Sequence, residues 1–407
     1  MLCQFSFENY KTFKEEAILD LYAEPIKEHT ETLITDKNDN EKFLPIAVIY
    51  GPNGAGKSNA LEALYYIHLS VLSHVFLFWG VDDRVRTDRE LLLRHPVFHK
   101  FSPECKKMPT KFDILLRDDT HAFKYQLSTL EGKIYEENLY TKKIDEDDVD
   151  ILFERKANVI KKGDVIKDVM SEHINDMMPF LSHLEINYKI PIVNKVIKCF
   201  LNSDFINFAN PLQEARVNIP ENNPEIRKKL FKMVQSMGIG IKDAKIIKDL
   251  NGQIINIFMI HETKDDTLVE IPLSDESMGT IKIFTFLVRI IDAIEKGKLI
   301  VIDELDAKLH PKLLKYIIEL FTNPKINKKG AQLLFTSHDV STMNSDVFRR
   351  DEIWFCAMNP DNASNLYSLS SFKKENGKQP RNDENYFKQY LEGRYGADPY
   401  FRKIMEW

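Results

Sequence analysis

The segment Gly51-Pro52-Asn53-Gly54-Ala55-Gly56-Lys57-Ser58 satisfies G-x-x-x-x-G-K-[ST] in full. Residue types in this order suit the cradling of a polyphosphate. The glycines let backbone N–H groups converge on the anion, and the start of a helix behind them adds the positive end of its dipole. Asn53, Gly54, Ala55, Gly56 and Asn59 line the expected cradle, Lys57 reaches toward the β and γ phosphates, and Ser58 is placed to ligate Mg²⁺. A pair of carboxylates, Asp303-Glu304, closes the apolar run Leu299-Ile300-Val301-Ile302. Asp303 suits a second Mg²⁺ ligand, and Glu304 a base that polarises the water attacking a γ-phosphate. Phe335-Thr336-Ser337-His338 ends the next apolar run, where His338 serves as a γ-phosphate sensor if the two runs are neighbouring strands. The catalytic set is thus Lys57, Glu304 and His338. In Leu273-Ser274-Asp275-Glu276-Ser277-Met278-Gly279-Thr280, Ser277 reads as a helix N-cap. A helix start bearing serine and glycine is also an anion site, so Ser277 and Gly279 can donate to a nucleotide held by another subunit.

These residues need particular elements behind them. Pro45 to Tyr50 is a short, partly β-branched run that predicts a buried strand. Asn59 to Leu77 repeats apolar residues at spacings of three and four, which predicts a helix. Alternation in Gln4 to Phe13 predicts an edge strand and a turn, and Lys111 to Leu139 predicts a small antiparallel layer. Between Glu146 and Ile271 the chain is charged and less regular, with helices expected at Asp168 to Phe180, Pro191 to Leu201 and Pro224 to Met237. Strands are expected at Ile254 to Ile260 and Leu268 to Ile271. A helix from Met278 to Glu295, a strand at Leu299 to Ile302, a helix from Pro311 to Phe321 and a strand at Gln332 to Phe335 follow. Alternating strands and helices imply a parallel sheet covered by helices.

Composition narrows the partners. With 407 residues, 43% apolar, and 56 basic against 62 acidic residues, the chain can bury a large core at a net charge of −6. Coating of nucleic acid through bulk charge is excluded, and any DNA contact must be local. Cys3, Cys105, Cys199 and Cys356 form no C-x-x-C pair, so neither a zinc knuckle nor a disulfide framework is expected. The first residues carry no cationic-then-apolar leader, and Val71 to Val81 is too short to span a bilayer, which implies a soluble, cytoplasmic chain without a membrane partner. The acidic run Asp145 to Asp148 and the turn Lys325 to Lys329 read as solvated, His310 as shaping a helix start beside Pro311, and Tyr386, Phe387, Tyr390 and Tyr395 as docking the tail on the core.

The ordered set GPNGAGKS, SDESMGT, VIDELD and TSHD, with the opening FSFENYKTF, resembles ATP-binding-cassette ATPases of the RecF, Rad50 and SMC type. That resemblance implies an α/β P-loop NTPase of ABC head type: a mostly parallel sheet, an antiparallel β layer and an inserted helical arm or lid. Residues 1–145 would form the first part of the head, 146–272 the arm, and 273–407 the rest of the head. It implies ATP and Mg²⁺ sandwiched between two heads of a homodimer or higher homo-oligomer, with Ser277 and Gly279 meeting the partner's phosphate loop and Asp306 in the D-loop position. No glutamine fits a Q-loop; Gln126 lies on an expected strand without the right context. The arm, VIDELDAKLHP, TSHD and the tail YLEGRYGADP are similar to AAA15-type ATPases, the RloA-like and AriA-like subunits of bacterial two-gene phage-defence loci. A nuclease supplied by a separate partner protein follows from that resemblance, since the 57 residues after Val340-to-Arg350 are too few for an added nuclease domain. The alternative is a DNA-repair or chromosome-maintenance clamp that holds duplex DNA directly.

Overall fold

The computed structural model describes residues 1–80, 97–171, 174–207, 224–250, 254–263, 265–306, 309–373, 377 and 379–397. Six strands form a central sheet in the order Ser203–Asn207, Leu299–Asp303, Gln332–Thr336, Ile46–Tyr50, Ile353–Met358 and Ser364–Ser368. The first five run parallel and the last is antiparallel to its neighbour. Alternation along each strand sends side chains to two cores. Ala47, Ile49, Leu299, Val301 and Leu334 face one side, and Ile46, Val48, Tyr50, Ile300, Ile302 and Phe335 face the other. Both faces being covered explains why these strands read as unbroken apolar runs.

On the first side, helix Lys57–Trp79 lies between the central sheet and a seven-stranded antiparallel sheet. That helix is long and apolar enough to cross a bilayer by length and composition, yet two thirds of its most apolar window is buried inside the protein. On the second side, helices Met278–Lys296 and Pro311–Thr322 and the short helix Tyr386–Leu391 cover the sheet. Tyr386, Tyr390 and Tyr395 are buried there and dock the tail, whereas Phe387 is 38% exposed. His310 caps its helix by accepting the Lys312 N–H. All four cysteines are free and buried, and residues 145–148 are exposed.

Three placements differ from the sequence expectations. Strand Leu2–Glu8 is not an edge: it pairs with Thr110–Arg117 on one side and Ala17–Asp20 on the other, because Phe5 and Phe7 supply a buried face. No helix spans the described part of Asp168 to Pro179; the helix is Phe180–Asn187. Its start is set by Glu137, a fully buried carboxylate from another strand that accepts the Phe180 and Leu181 N–H groups at 2.6 and 3.0 Å, a cap invisible in the local sequence.

The stretch expected as an arm is the third. Strands Val149–Lys156 and Val159–Lys162 extend the antiparallel sheet. Helices Phe180–Asn187 and Pro191–Leu201 pack beside Lys57–Trp79, with Ser182 Oγ donating to Val71 O. Strand Ser203–Asn207 completes the central sheet. A separate lobe begins with helix Pro224–Ser236 and the three-stranded sheet Ile241–Lys248, Ile254–Glu262, Leu268–Pro272, which share a core with Phe284, Leu287 and Ile291 of helix Met278–Lys296.

Candidate functional site

The carboxyl ends of parallel strands are where a doubly covered sheet presents its ligand site, and the phosphate loop leaves the sheet at that end of Ile46–Tyr50. Gly51 and Gly56 hold φ values of +150° and +106°. A Cβ on Gly51 would stand 2.2 Å from the Cys356 carbonyl, and one on Gly56 would stand 2.6 Å from Ser364 Oγ and 2.7 Å from Thr12 Oγ1. Only glycine fits either place. Between them Ala55 is buried, and its carbonyl accepts from Ser364 Oγ at 2.6 Å and Cys356 Sγ at 2.9 Å, which fastens the loop to the two last strands of the sheet. Helix Lys57–Trp79 then starts at Gly56 with no side-chain cap, leaving its first N–H groups for an anion.

Lys57 is buried and its Nζ donates to the carbonyls of Gly51 at 2.8 Å and Pro52 at 3.1 Å. Burial holds its ammonium below the ordinary lysine range, against the opposing pull of the carboxylates of Asp303, Glu304 and Asp306. The same burial pushes the Cys356 thiol up to about 12, so it stands there as a neutral donor. Asn53, Gly54 and Ser58 are exposed. Asn59 differs from its expected role, since its Nδ2 donates to Thr12 Oγ1 at 3.0 Å and so ties the helix start to the N-terminal turn.

Sheet order brings the carboxylates to the same end of the sheet as the phosphate loop. Strand Gln332–Thr336 lies between the phosphate-loop strand and the strand ending in Asp303, in parallel register with both. Asp303 Oδ1 accepts from Thr336 Oγ1 at 2.6 Å. Glu304 follows with φ +52° and an exposed side chain. His338, beyond the end of the intervening strand, is exposed. Asp306 accepts the backbone N–H groups of His338 at 3.2 Å and Asp339 at 3.1 Å, so in this chain it braces its own strand-end turn.

Ser277 and Gly279 belong to the other lobe. Ser277 caps helix Met278–Lys296, accepting the Thr280 N–H at 3.0 Å, as its position before that helix predicts. Glu276, just before it, is paired with His261 of the lobe's sheet. Ser277 is exposed. Among the described residues, the hydrogen bonds and ion pairs of 273–280 reach neither the phosphate loop nor 303–306. Gln126 donates to Asp113 in the antiparallel sheet and is no part of this site. Asn207, in register with Asp303 at the carboxyl end of the outermost parallel strand, is a neighbour that sequence reasoning missed. The five-residue strand carrying it has no local signature, and its pairing with a strand nearly 100 residues later is the only signal.

Mg²⁺ takes a few hard oxygen ligands and keeps substrate phosphates and waters for the rest. The donor set fits: Ser58 offers an exposed hydroxyl and Asp303 keeps Oδ2 free of the Thr336 bond.

Comparison with known proteins gives the same class. A solved SMC head bound to the C-winged helix domain of ScpA shares this fold, aligning with 91% of this chain and 98% of its own at 12% identity and a TM-score of 0.51. The SMC head domain from Thermotoga maritima aligns with 90% and 98% at 11% identity and a TM-score of 0.43. A head with an extended coiled coil, bound to the C-terminal domain of ScpA derived from Pyrococcus furiosus, aligns with 90% and 96% at 13% identity and a TM-score of 0.43. None of the curated proteins matches the chain. The family described as "AAA domain, putative AbiEii toxin, Type IV TA system" matches residues 46–344, from the phosphate-loop strand to beyond His338. Covering well over half of the chain, that match makes it a member of this family of P-loop ATPases.

Proposed function

We propose that two copies of this chain hydrolyse ATP, with Mg²⁺, at a shared interface and that their closure controls a separate effector, a nuclease, in cytoplasmic defence against phage. The observation that carries the hydrolytic part is the sheet order that brings the phosphate loop and the Asp303-Glu304 pair, nearly 250 positions apart in sequence, to the carboxyl ends of the two strands flanking Gln332–Thr336. The loop N–H groups and Lys57 bind the phosphates. Ser58 and Asp303 would hold Mg²⁺, which when bound would supply positive charge against the charge that develops on the transferred phosphoryl group. Glu304, turned to solvent, accepts a proton from the attacking water, and His338 senses the terminal phosphate from the adjacent strand end.

The dimeric part is supported by the exposed Ser277 and the half-buried Gly279 near it, mounted on a lobe with a core of its own and bonded away from its own phosphate loop. Asp306 can act across such an interface only after releasing His338 and Asp339. The effector and the defence role rest on the resemblance to AAA15-type, RloA-like and AriA-like subunits, and a solved head carrying a bound winged-helix domain is the precedent for a protein partner.

Glu304→Gln tests the reading. Turnover is expected to fall at least about a hundredfold while ATP affinity is kept, and ATP is expected to convert the variant to a stable dimer in light scattering. Wild-type turnover in that variant removes Glu304 from its role. ATP-dependent binding of the isolated protein to duplex DNA, weakening with salt, would point to a clamp instead.

A further inference from the structure

Thr336 stands between the two halves of the site and has no part in the roles assigned above. Its hydroxyl donates to Asp303 Oδ1 at 2.6 Å and accepts the Glu304 N–H at 2.7 Å. Its carbonyl accepts the Leu305 N–H at 3.1 Å. One residue therefore grips three consecutive residues of the acidic turn. Thr336 is fully buried, so neither bond competes with water. On its other side it is in register with Ile49 of the phosphate-loop strand, and the next residue, Ser337, donates its N–H to the Ile49 carbonyl at 3.2 Å.

The grip falls where the backbone needs it. Glu304 has φ +52°, a left-handed conformation that a side chain with a Cβ rarely adopts. That conformation turns the Glu304 carboxylate to solvent directly after a strand whose first four residues are buried. A hydroxyl has one proton to give. Spending it on Asp303 fixes both the threonine rotor and one carboxylate oxygen, and leaves the other oxygen for a cation.

We infer that Thr336 is the positioning residue of the hydrolytic site: its hydroxyl locks Glu304 in the left-handed turn and orients Asp303, and so holds both carboxylates in register with the phosphate loop. This rests on the roles proposed above for Asp303 and Glu304. Serine keeps the hydroxyl. Valine keeps the shape but leaves the Glu304 N–H and Asp303 Oδ1 without their partner and the left-handed turn without its restraint.

The test compares steady-state ATP turnover and equilibrium ATP affinity for the full chain, Thr336→Val, Thr336→Ser, Glu304→Gln and the Thr336→Val/Glu304→Gln double variant. Valine is expected to lower kcat at least about tenfold with ATP affinity within about threefold of the wild type, and serine to keep most of the turnover. In the double variant valine is expected to add a smaller loss than it causes alone, because with Glu304 replaced only its hold on Asp303 is left to lose. Full turnover with valine, equal loss with valine and serine, or multiplying losses in the double variant would each overturn the inference. Absence of turnover in the wild type overturns the hydrolytic reading itself, whereas wild-type turnover indifferent to valine overturns this inference alone. Should the valine variant not fold, amide hydrogen exchange on the wild type decides: a slowly exchanging Glu304 N–H is expected, and a freely exchanging one removes the grip.

Discussion

Gly51 shows how tightly single residues are constrained around the phosphate loop. Its φ of +150° and the Cys356 carbonyl 2.2 Å from any added Cβ leave no room for a side chain. Gly51→Ala must push the loop away from strand Ile353–Met358, because the obstructing atom is backbone and cannot rotate aside. We expect a loss of roughly 2–4 kcal/mol in stability and a drop of more than about tenfold in ATP affinity, checked by denaturant unfolding and nucleotide titration. At this scale the sequence was legible where a residue's type announces its chemistry. The placement of Lys57 at the start of a helix and of Asp303 and Glu304 at the end of a buried strand could be read from the sequence. Thr336 could not, because what its hydroxyl does depends on a carboxylate and an amide presented by another strand. The motif places Asn59 beside the phosphate loop, but Thr12, far upstream, holds its side chain. The position of Asp306 implies contact across a dimer, whereas in this chain its carboxylate is engaged with backbone N–H groups of its own strand-end turn.

Among the elements, those that carry their own boundary signals were readable. Helix Pro311–Thr322 opens on a proline whose missing N–H costs nothing there, and helix Met278–Lys296 opens on its capping serine and closes on Gly297 in the left-handed region. Elements defined by distant partners were not. Helix Phe180–Asn187 begins where Glu137 caps it from another strand, and Ser203–Asn207 is a strand because Leu299–Asp303 pairs with it. The lobe carrying Ser277 offers a prediction at this scale. His261, from the strand Ile254–Glu262, holds Glu276 immediately before the capping serine. His261→Ala loosens that segment without touching the phosphate loop. Turnover is therefore expected to fall by about threefold to tenfold and to need a higher protein concentration, while ATP affinity at low protein concentration stays unchanged. A rate loss independent of protein concentration would separate the His261 contact from any action on a second copy.

The whole molecule is built in layers, antiparallel sheet, helices, parallel sheet and helices, and charged groups are enclosed at the end remote from the phosphate loop. Glu352 ends the turn into strand Ile353–Met358, where it is buried. Its Oε2 accepts the Arg349 N–H at 2.8 Å, and its Oε1 has no hydrogen-bond partner among the described residues. Burial pushes its carboxyl up to about 8; the nearby Asp351 and Glu28 add to the rise, and the Arg349 bond and charge oppose it. A raised carboxyl pKa means that the folded chain keeps a proton which the unfolded chain releases above about 4.5. The stability it lends is therefore full at low pH and is lost as pH climbs toward 8. Glu352→Gln, which still accepts the Arg349 N–H, is expected to flatten that slope and to raise stability at pH 8 by roughly 1–3 kcal/mol, measured by urea unfolding at several pH values. The order of the central sheet has one more consequence, for the making of the protein. Among the described residues, strand Ile46–Tyr50 pairs with Gln332–Thr336 and Ile353–Met358 alone. A chain emerging from a ribosome at roughly 5–20 residues per second thus carries Ile46, Val48 and Tyr50 unshielded for on the order of tens of seconds. Birth of this ATPase is consequently a late, nearly all-at-once event, and a nascent chain halted short of residue 332 exposes a sticky strand that chaperones must guard.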